Sequence, residues 1–209
     1  MMPFTDLVTS EEEIRALIGT PSKLVQHKVI HHLDSHCRDF IAKSPFVMVG
    51  TSDDEGRCDV SPRGDAPGFV RVLDDQNLLI PERPGNRRID SIKNILKKPG
   101  IGLIFLIPGL EETLRVNGQA CVTTDAQSLQ PCSVSGRTPV LGIGVTVEEC
   151  FVHCAKALKR SRLWHPETWL DEGDQPNIAR MLSDHAKLPE MDGQAVQAAL
   201  EESYTKRLY

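Results

Sequence analysis

The chain has 209 residues, about 40% of them apolar, with 24 Lys and Arg against 29 Asp and Glu and a formal net charge of −5 at pH 7. That length suits one domain whose core closes without staples, and the acidic balance excludes sequence-independent nucleic-acid binding, which needs a basic footprint. The longest apolar run, 101–107, is far short of the roughly 20 residues of a membrane helix, and the opening Met-Met-Pro-Phe-Thr-Asp-Leu lacks the basic and apolar regions of a signal peptide, so the expectation is a cytoplasmic protein with no membrane partner.

Ser10 ahead of Glu11, Glu12 and Glu13 is a capping-box pattern and predicts a helix over 10–18. Pro21-Ser22 restarts the chain in a second helix, predicted to pass through Val25, Val29, Leu33 and Ile41 because apolar positions recur every three and four residues. His27, His31, His32 and His36 form two i, i+4 pairs there, but no Glu occupies the His-Glu-x-x-His position, so they are read as a polar face rather than a metal site. After Pro45 the pattern turns to strands: 46–51 and 58–61 joined at Asp53-Asp54-Glu55-Gly56, then 69–73 and 78–80 joined at 74–77. A helix over 86–98 carries Ile89, Ile92, Ile95 and Leu96 and stops at Pro99-Gly100. Strands follow at 101–107, 112–116, 119–123, 139–147 and 150–154, and 166–209 reads as polar helix with periodic stretches at 178–182 and 195–204. The sum is a mainly β, α+β chain: a single domain over 1–209, built on a small antiparallel barrel of six or seven strands. N-terminal helices lie at about 10–43 and a C-terminal helical extension at about 166–209.

Two blocks carry chemistry. In 80–91 a strand ends, the chain turns at Pro84-Gly85, and the predicted helix opens with Asn86, Arg87 and Arg88. A helix N-terminus offers unpaired N–H groups and arginines add bidentate donors, so the block reads as a phosphate site; arginines there oppose the helix dipole unless an anion is present. Ser91 and Asn94 are expected to present a hydroxyl and an amide to the same face. In 59–68, two prolines and two glycines break a strand. Either this lets the backbone approach a ligand, or Arg63 and Asp65 simply pair across the turn. The six cysteines have no framework spacing and are expected as free thiols. Cys150, His153 and Cys154 are read as strand residues with buried thiols rather than metal ligands.

Asn86-Arg87-Arg88, the helix end Asn94-Ile95-Leu96-Lys97-Lys98-Pro99, and the strands at 101–107 and from Glu112 together resemble the FMN-binding split-barrel family typified by pyridoxamine 5′-phosphate oxidase, over roughly residues 40–164. Ser61-Pro62-Arg63-Gly64-Asp65 with Arg83-Pro84-Gly85-Asn86-Arg87-Arg88 is similar to an uncharacterised bacterial branch of these flavoproteins. The resemblance implies an FMN split β-barrel, a homodimer with flavin sites at the subunit interface, and an oxidoreductase using a small-molecule substrate or a nicotinamide-type donor. The alternative is a flavin- or haem-binding module without turnover. It implies Ser61, Arg63, Gly64, Asp65, Arg83, Asn86, Arg87, Arg88 and Ser91 on one side of the flavin, with Thr113 from the neighbouring subunit. Lys156, Arg160 and Trp164, four apart on an expected helix, are candidates for that same cross-subunit side or form a solvated basic face with one packed Trp. The Arg-Leu-His-type ending that binds substrate phosphate in the oxidases is missing, so pyridoxine 5′-phosphate is not the expected substrate. No side chain is assigned as general acid or base.

Overall fold

Alternation decides the sheet. On β1 (Phe46–Ser52), Val47, Val49 and Thr51 are buried while Met48, Gly50 and Ser52 between them face outward, half-buried. The computed structural model describes residues 3–209. Its other strands are β2 (Cys58–Gly64), β3 (Arg71–Val72), β4 (Asn77–Pro81), β5 (Gly100–Leu106), β6 (Thr113–Thr123) and β7 (Gly142–His153). All pair antiparallel in one seven-stranded sheet of order β2-β1-β5-β6-β7-β4-β3. The expected split β-barrel is observed. The sheet curls round a core that includes Val47, Val49, Leu78, Ile80, Leu103, Phe105, Leu114, Val116 and Ile143, and the ends of β2 and β4 come close enough for side chains to bridge them.

Helices α1 (Glu11–Ile18), α2 (Lys23–His27) and α3 (Ser35–Lys43) precede the sheet, and α4 (Asp90–Lys97) lies between β4 and β5. Short α5 (Ala126–Leu129) links β6 to β7, and α6 (Lys156–Ser161), α7 (Ile178–Ala186) and α8 (Gly193–Lys206) follow β7. Ser10 caps α1 by accepting from the Glu13 amide, and Ile92 and Ile95 bury the inner face of α4. Among the described residues no helix is long and apolar enough to cross a membrane.

Several sequence expectations need correction. The predicted helix from 22 to 41 is two helices, because Ile30 exchanges both backbone hydrogen bonds with Cys150 of β7 and Asp34 caps a new helix on the Cys37 amide. Its apolar period was met by tertiary contact: Leu33 is fully buried although it lies outside both helices. Strand β2 does not break at Pro62 but runs to Gly64; as a sheet edge, it loses no ladder bond to a proline. The strands expected at 112–116 and 119–123 are the single β6, and those at 139–147 and 150–154 are the single β7, which begins only at Gly142. Asn117-Gly118, between the two strands expected here, marks a β-bulge where Asn117 opposes Glu149 and Gly118 opposes Val147. Cys150 is buried, 3.3 Å from the Cys37 sulfur, but Cys154 is exposed beyond the end of β7.

The bulge depends on its glycine. A Cβ on Gly118 would sit 2.0 Å from the carbonyl oxygen of Thr146, and both partners are backbone, so neither can rotate away. Gly118→Ala is expected to destabilise the fold by about 3 kcal/mol, the upper end of ordinary overpacking costs. Urea unfolding reads the shift in midpoint; an unchanged midpoint would mean that the strands separate at no cost.

Candidate functional site

The chain that leaves β4 at Pro81 returns to helix only at Asp90, not at Asn86 as the sequence suggests. Arg87 and Ile89 both adopt left-handed backbone, φ 61° and 55°. This is an uncommon conformation for any side chain and an outlier for β-branched Ile89. The kinks place Asn86, Arg87 and Arg88 in a loop ahead of α4, so they wrap its N-terminus instead of forming its first turn. Among the described residues no side chain caps that terminus. Ile89, Asp90 and Ser91, at that terminus, line a cavity of about 860 Å³.

One wall of this cavity is the end of β2, from Asp59 to Gly64, with the segment from Pro81 to Ser91; the other is Val134, Arg137, Thr138, Pro139, Val140 and Leu141. Five arginines line it (Arg63, Arg83, Arg87, Arg88 and Arg137) against three carboxylates, Asp59, Glu82 and Asp90. A hydrogen-bonded chain ties the first wall together. Ser91, 2% exposed, donates to Asp59 at 2.8 Å, the Ser61 and Ser91 hydroxyls are 2.8 Å apart, and Arg63 donates to Ser61 at 2.9 Å and to Glu82 at 2.9 Å. A second ion pair lies beside it. Arg83 donates to Asp65 at 2.7 Å, with side chains only 16% and 2% exposed. Burial by itself pushes the Asp65 carboxyl up, but the Ala66 amide, the Tyr209 hydroxyl and the Arg83 guanidinium outweigh it and hold the carboxyl below its usual range. The Arg63–Asp65 pair, one of the two readings of this block, does not form: Arg63 at the end of β2 pairs with Glu82 and Asp65 just beyond it with Arg83, and the two pairs close the gap between β2 and the end of β4.

Of the sequence-predicted residues, Ser61, Arg63, Gly64, Arg83, Asn86, Arg87, Arg88 and Ser91 line the cavity together, and Asp65 stands behind Arg83. Arg88 pairs with Asp90 at 2.7 Å, which holds its guanidinium above the ordinary value, whereas Arg87 has no ion pair among the described residues. Asn94 turns away and donates to Thr51 at 3.0 Å, so it does not share the face of Ser91. Thr113, Lys156, Arg160 and Trp164 lie outside the cavity. Thr113 is buried opposite His153 at the far end of the β6–β7 pair, and α6 ends at Ser161, so Trp164 leaves the helical face expected for it and donates to the Leu110 carbonyl at 2.9 Å. Sequence reasoning missed Glu82, Arg137 and Tyr209. Glu82 was legible as an acid at a strand end beside Arg83; Arg137 and Tyr209 carry no local signal, because only the fold brings 134–141 and the residues after α8 to this cavity.

A family profile for pyridoxamine 5′-phosphate oxidase matches residues 33–154. Among solved structures, HupZ of Group A Streptococcus is similar at 20% identity, covering 57% of this chain and 92% of that one with a TM-score of 0.48. A Clostridium acetobutylicum protein related to general stress protein 26, of the pyridoxinephosphate oxidase family, is 16% identical, with 56% and 85% covered and a TM-score of 0.41. An FMN-binding protein from Syntrophomonas wolfei is 7% identical, with 56% and 88% covered and a TM-score of 0.42. No curated protein matches the chain.

Proposed function

The chain belongs to the pyridoxamine 5′-phosphate oxidase family, and on that premise we propose that it binds FMN and works as a small oxidoreductase on a substrate other than pyridoxine 5′-phosphate. The observation that carries the reading is the uncapped N-terminus of α4 opening into a cavity with five arginines and three carboxylates. A phosphate monoester suits this donor set: amide N–H groups and the helix dipole take one side, and bidentate guanidinium groups take the other. The residues present therefore fit the phosphate end of FMN.

When bound, FMN supplies the two-electron chemistry at its ring. The protein's part is to hold and orient. Arg87 and Arg88 bind the phosphate, Arg88 through its terminal guanidinium nitrogens because Asp90 takes only its Nε–H. The Asp59–Ser91–Ser61–Arg63–Glu82 chain fixes the strand edge against the helix, so the cavity walls keep their spacing. Arg63, anchored through Glu82, keeps a cation over the cavity, where negative charge on a reduced ring would be stabilised.

In this reading the protein is a homodimer with two shared sites. Thr113, Lys156, Arg160 and Trp164 lie too far round the sheet to join Arg87 and Arg88 in one subunit, and a second copy would bring them to the ring side. Closed twofold dimers are the commonest assembly, and the exposed Val60 and Ile104 are among the apolar side chains that such a dimer would cover.

The test is direct. Purified or FMN-reconstituted protein should show flavin absorbance, oxidise NADH or NADPH under oxygen, and fail to form pyridoxal phosphate from pyridoxine 5′-phosphate. A folded protein that takes up no FMN would overturn the flavin assignment. Uptake without turnover with either nicotinamide would reduce the function to binding, and brisk pyridoxal phosphate formation would refute the substrate exclusion.

A further inference from the structure

Tyr209 joins both walls of the cavity, away from the point where β4 meets β7 and the Glu82 amide already donates to the Leu141 carbonyl at 3.1 Å. Its hydroxyl donates to Asp65 at 2.9 Å on the β2 side, and its ring lies 5.9 Å from the Arg83 guanidinium. On the opposite wall, Arg137 donates to its main-chain oxygen. These contacts span 144 residues of sequence on one side and 72 on the other. The ring lines the cavity while the residue stays 36% exposed, which puts it at the boundary between the cavity and solvent.

The anchor is well chosen for a reversible contact. Asp65 and Arg83 already satisfy each other in a nearly closed setting, and the Ala66 amide donates at 2.7 Å to the other Asp65 oxygen, the one that Tyr209 also uses. Tyr209 can leave without stranding an unpaired charge. The opposing hairpin is tight: Val134 and Arg137 exchange two backbone hydrogen bonds across Ser135 and Gly136, both of positive φ. Arg137 is thus presented on a short, self-supported turn.

We propose that Tyr209 is a latch across the cavity, a positioning residue that docks on the Asp65–Arg83 pair and on Arg137 to hold the two walls together over a bound planar ring ligand. The ligand class is an aromatic ring bearing a phosphate: phosphate at the α4 end, ring under the phenol. The latch adds a rate-controlling role at the same site, so its bearing on FMN rests on the flavin reading, whereas the docking itself does not.

Two measurements separate these. Tyr204 and Tyr209 are the only tyrosines, so Tyr204→Phe leaves a single phenol to follow by phenolate absorbance, without any flavin. Its hydrogen bond to the Asp65 carboxylate, and then that carboxylate's charge, push the Tyr209 phenol above its ordinary value. The expected titration is displaced upward in Tyr204→Phe and returns toward the ordinary value when Asp65→Asn is added. An ordinary titration in Tyr204→Phe would overturn the latch. With FMN loaded, Tyr209→Ala should speed flavin release about tenfold, the loss of a charge-assisted bond and a cation–π contact, and Tyr209→Phe should speed it less. Release at the wild-type rate in Tyr209→Ala would also overturn the latch. Failure of the wild-type protein to bind FMN would refute the flavin reading instead, and the titration would still decide the docking.

Discussion

Replacing Arg87 and Arg88 together by Ala is expected to abolish FMN retention while leaving the fold intact. Both side chains project from a loop ahead of α4, are exposed, and contribute nothing to the core, so the sheet does not depend on them. What they contribute is charge at a helix end that has no cap of its own. Each charge-assisted contact to a phosphate is among the stronger hydrogen-bonded interactions, and losing two should weaken binding about a hundredfold or more. Equilibrium titration with FMN, alongside circular dichroism to show that the double variant is folded, reads this. A folded double variant with unchanged flavin content would remove the phosphate from the N-terminus of α4. The single variants differ in an informative way. The charge of Arg88 is already partly offset by Asp90, whereas Arg87 has no ion pair among the described residues, so Arg87→Ala should cost more binding than Arg88→Ala.

Arg83→Met should be the most damaging single change near the site for stability. It leaves the Asp65 carboxylate, 2% exposed, without its cation. Breaking a buried pair from one side typically costs about 3–5 kcal/mol. It also loosens the gap between β2 and the end of β4, which the Arg63–Glu82 pair would then bridge alone, and it removes the ring partner of Tyr209. The pH dependence follows from the sign of the Asp65 shift. Its carboxyl titrates lower in the folded protein than in the unfolded chain, so its stabilisation is complete above the usual carboxylate range and is lost as pH falls through the lowered value. Wild-type stability should therefore decline on acidification, and Arg83→Met should flatten part of that decline because less of the stabilisation remains to be lost. Urea unfolding at neutral and acid pH reads both effects. Equal midpoints for the two proteins at neutral pH would show that Asp65 is held by the Ala66 amide and Tyr209 without need of Arg83.

The local patterns that needed no distant partner were legible in the sequence. Alternating apolar residues at Val47 and Val49, and at Leu103 and Phe105, specified strands, Ser10 specified a helix start, and Ile92 and Ile95 specified the buried face of α4. The Arg87-Arg88 step was visible as a candidate anion site for a similar reason: cations crowding a helix end conflict with local preference. The resemblance over the barrel added the family that the profile match shows.

Everything that depended on contacts distant in sequence was decided by the tertiary structure. Leu33 has helical spacing, yet pairing of Ile30 with Cys150 and capping by Asp34 break the helix around it. Pro62 looks like a strand breaker until the sheet order makes β2 an edge, and Asn117-Gly118 looks like a gap between two strands until β7 pairs across it with an extra residue. Arg63 at the end of β2 and Asp65 just past it find separate partners because the curl of the sheet brings Glu82 and Arg83 alongside. Tyr209 reaches the cavity only because α8 ends near it. Period and capping are properties of a few neighbouring residues and survive in the sequence. Pairing register, edge status and ion-pair choice are settled by which surfaces meet when the sheet closes, and no local window contains that information.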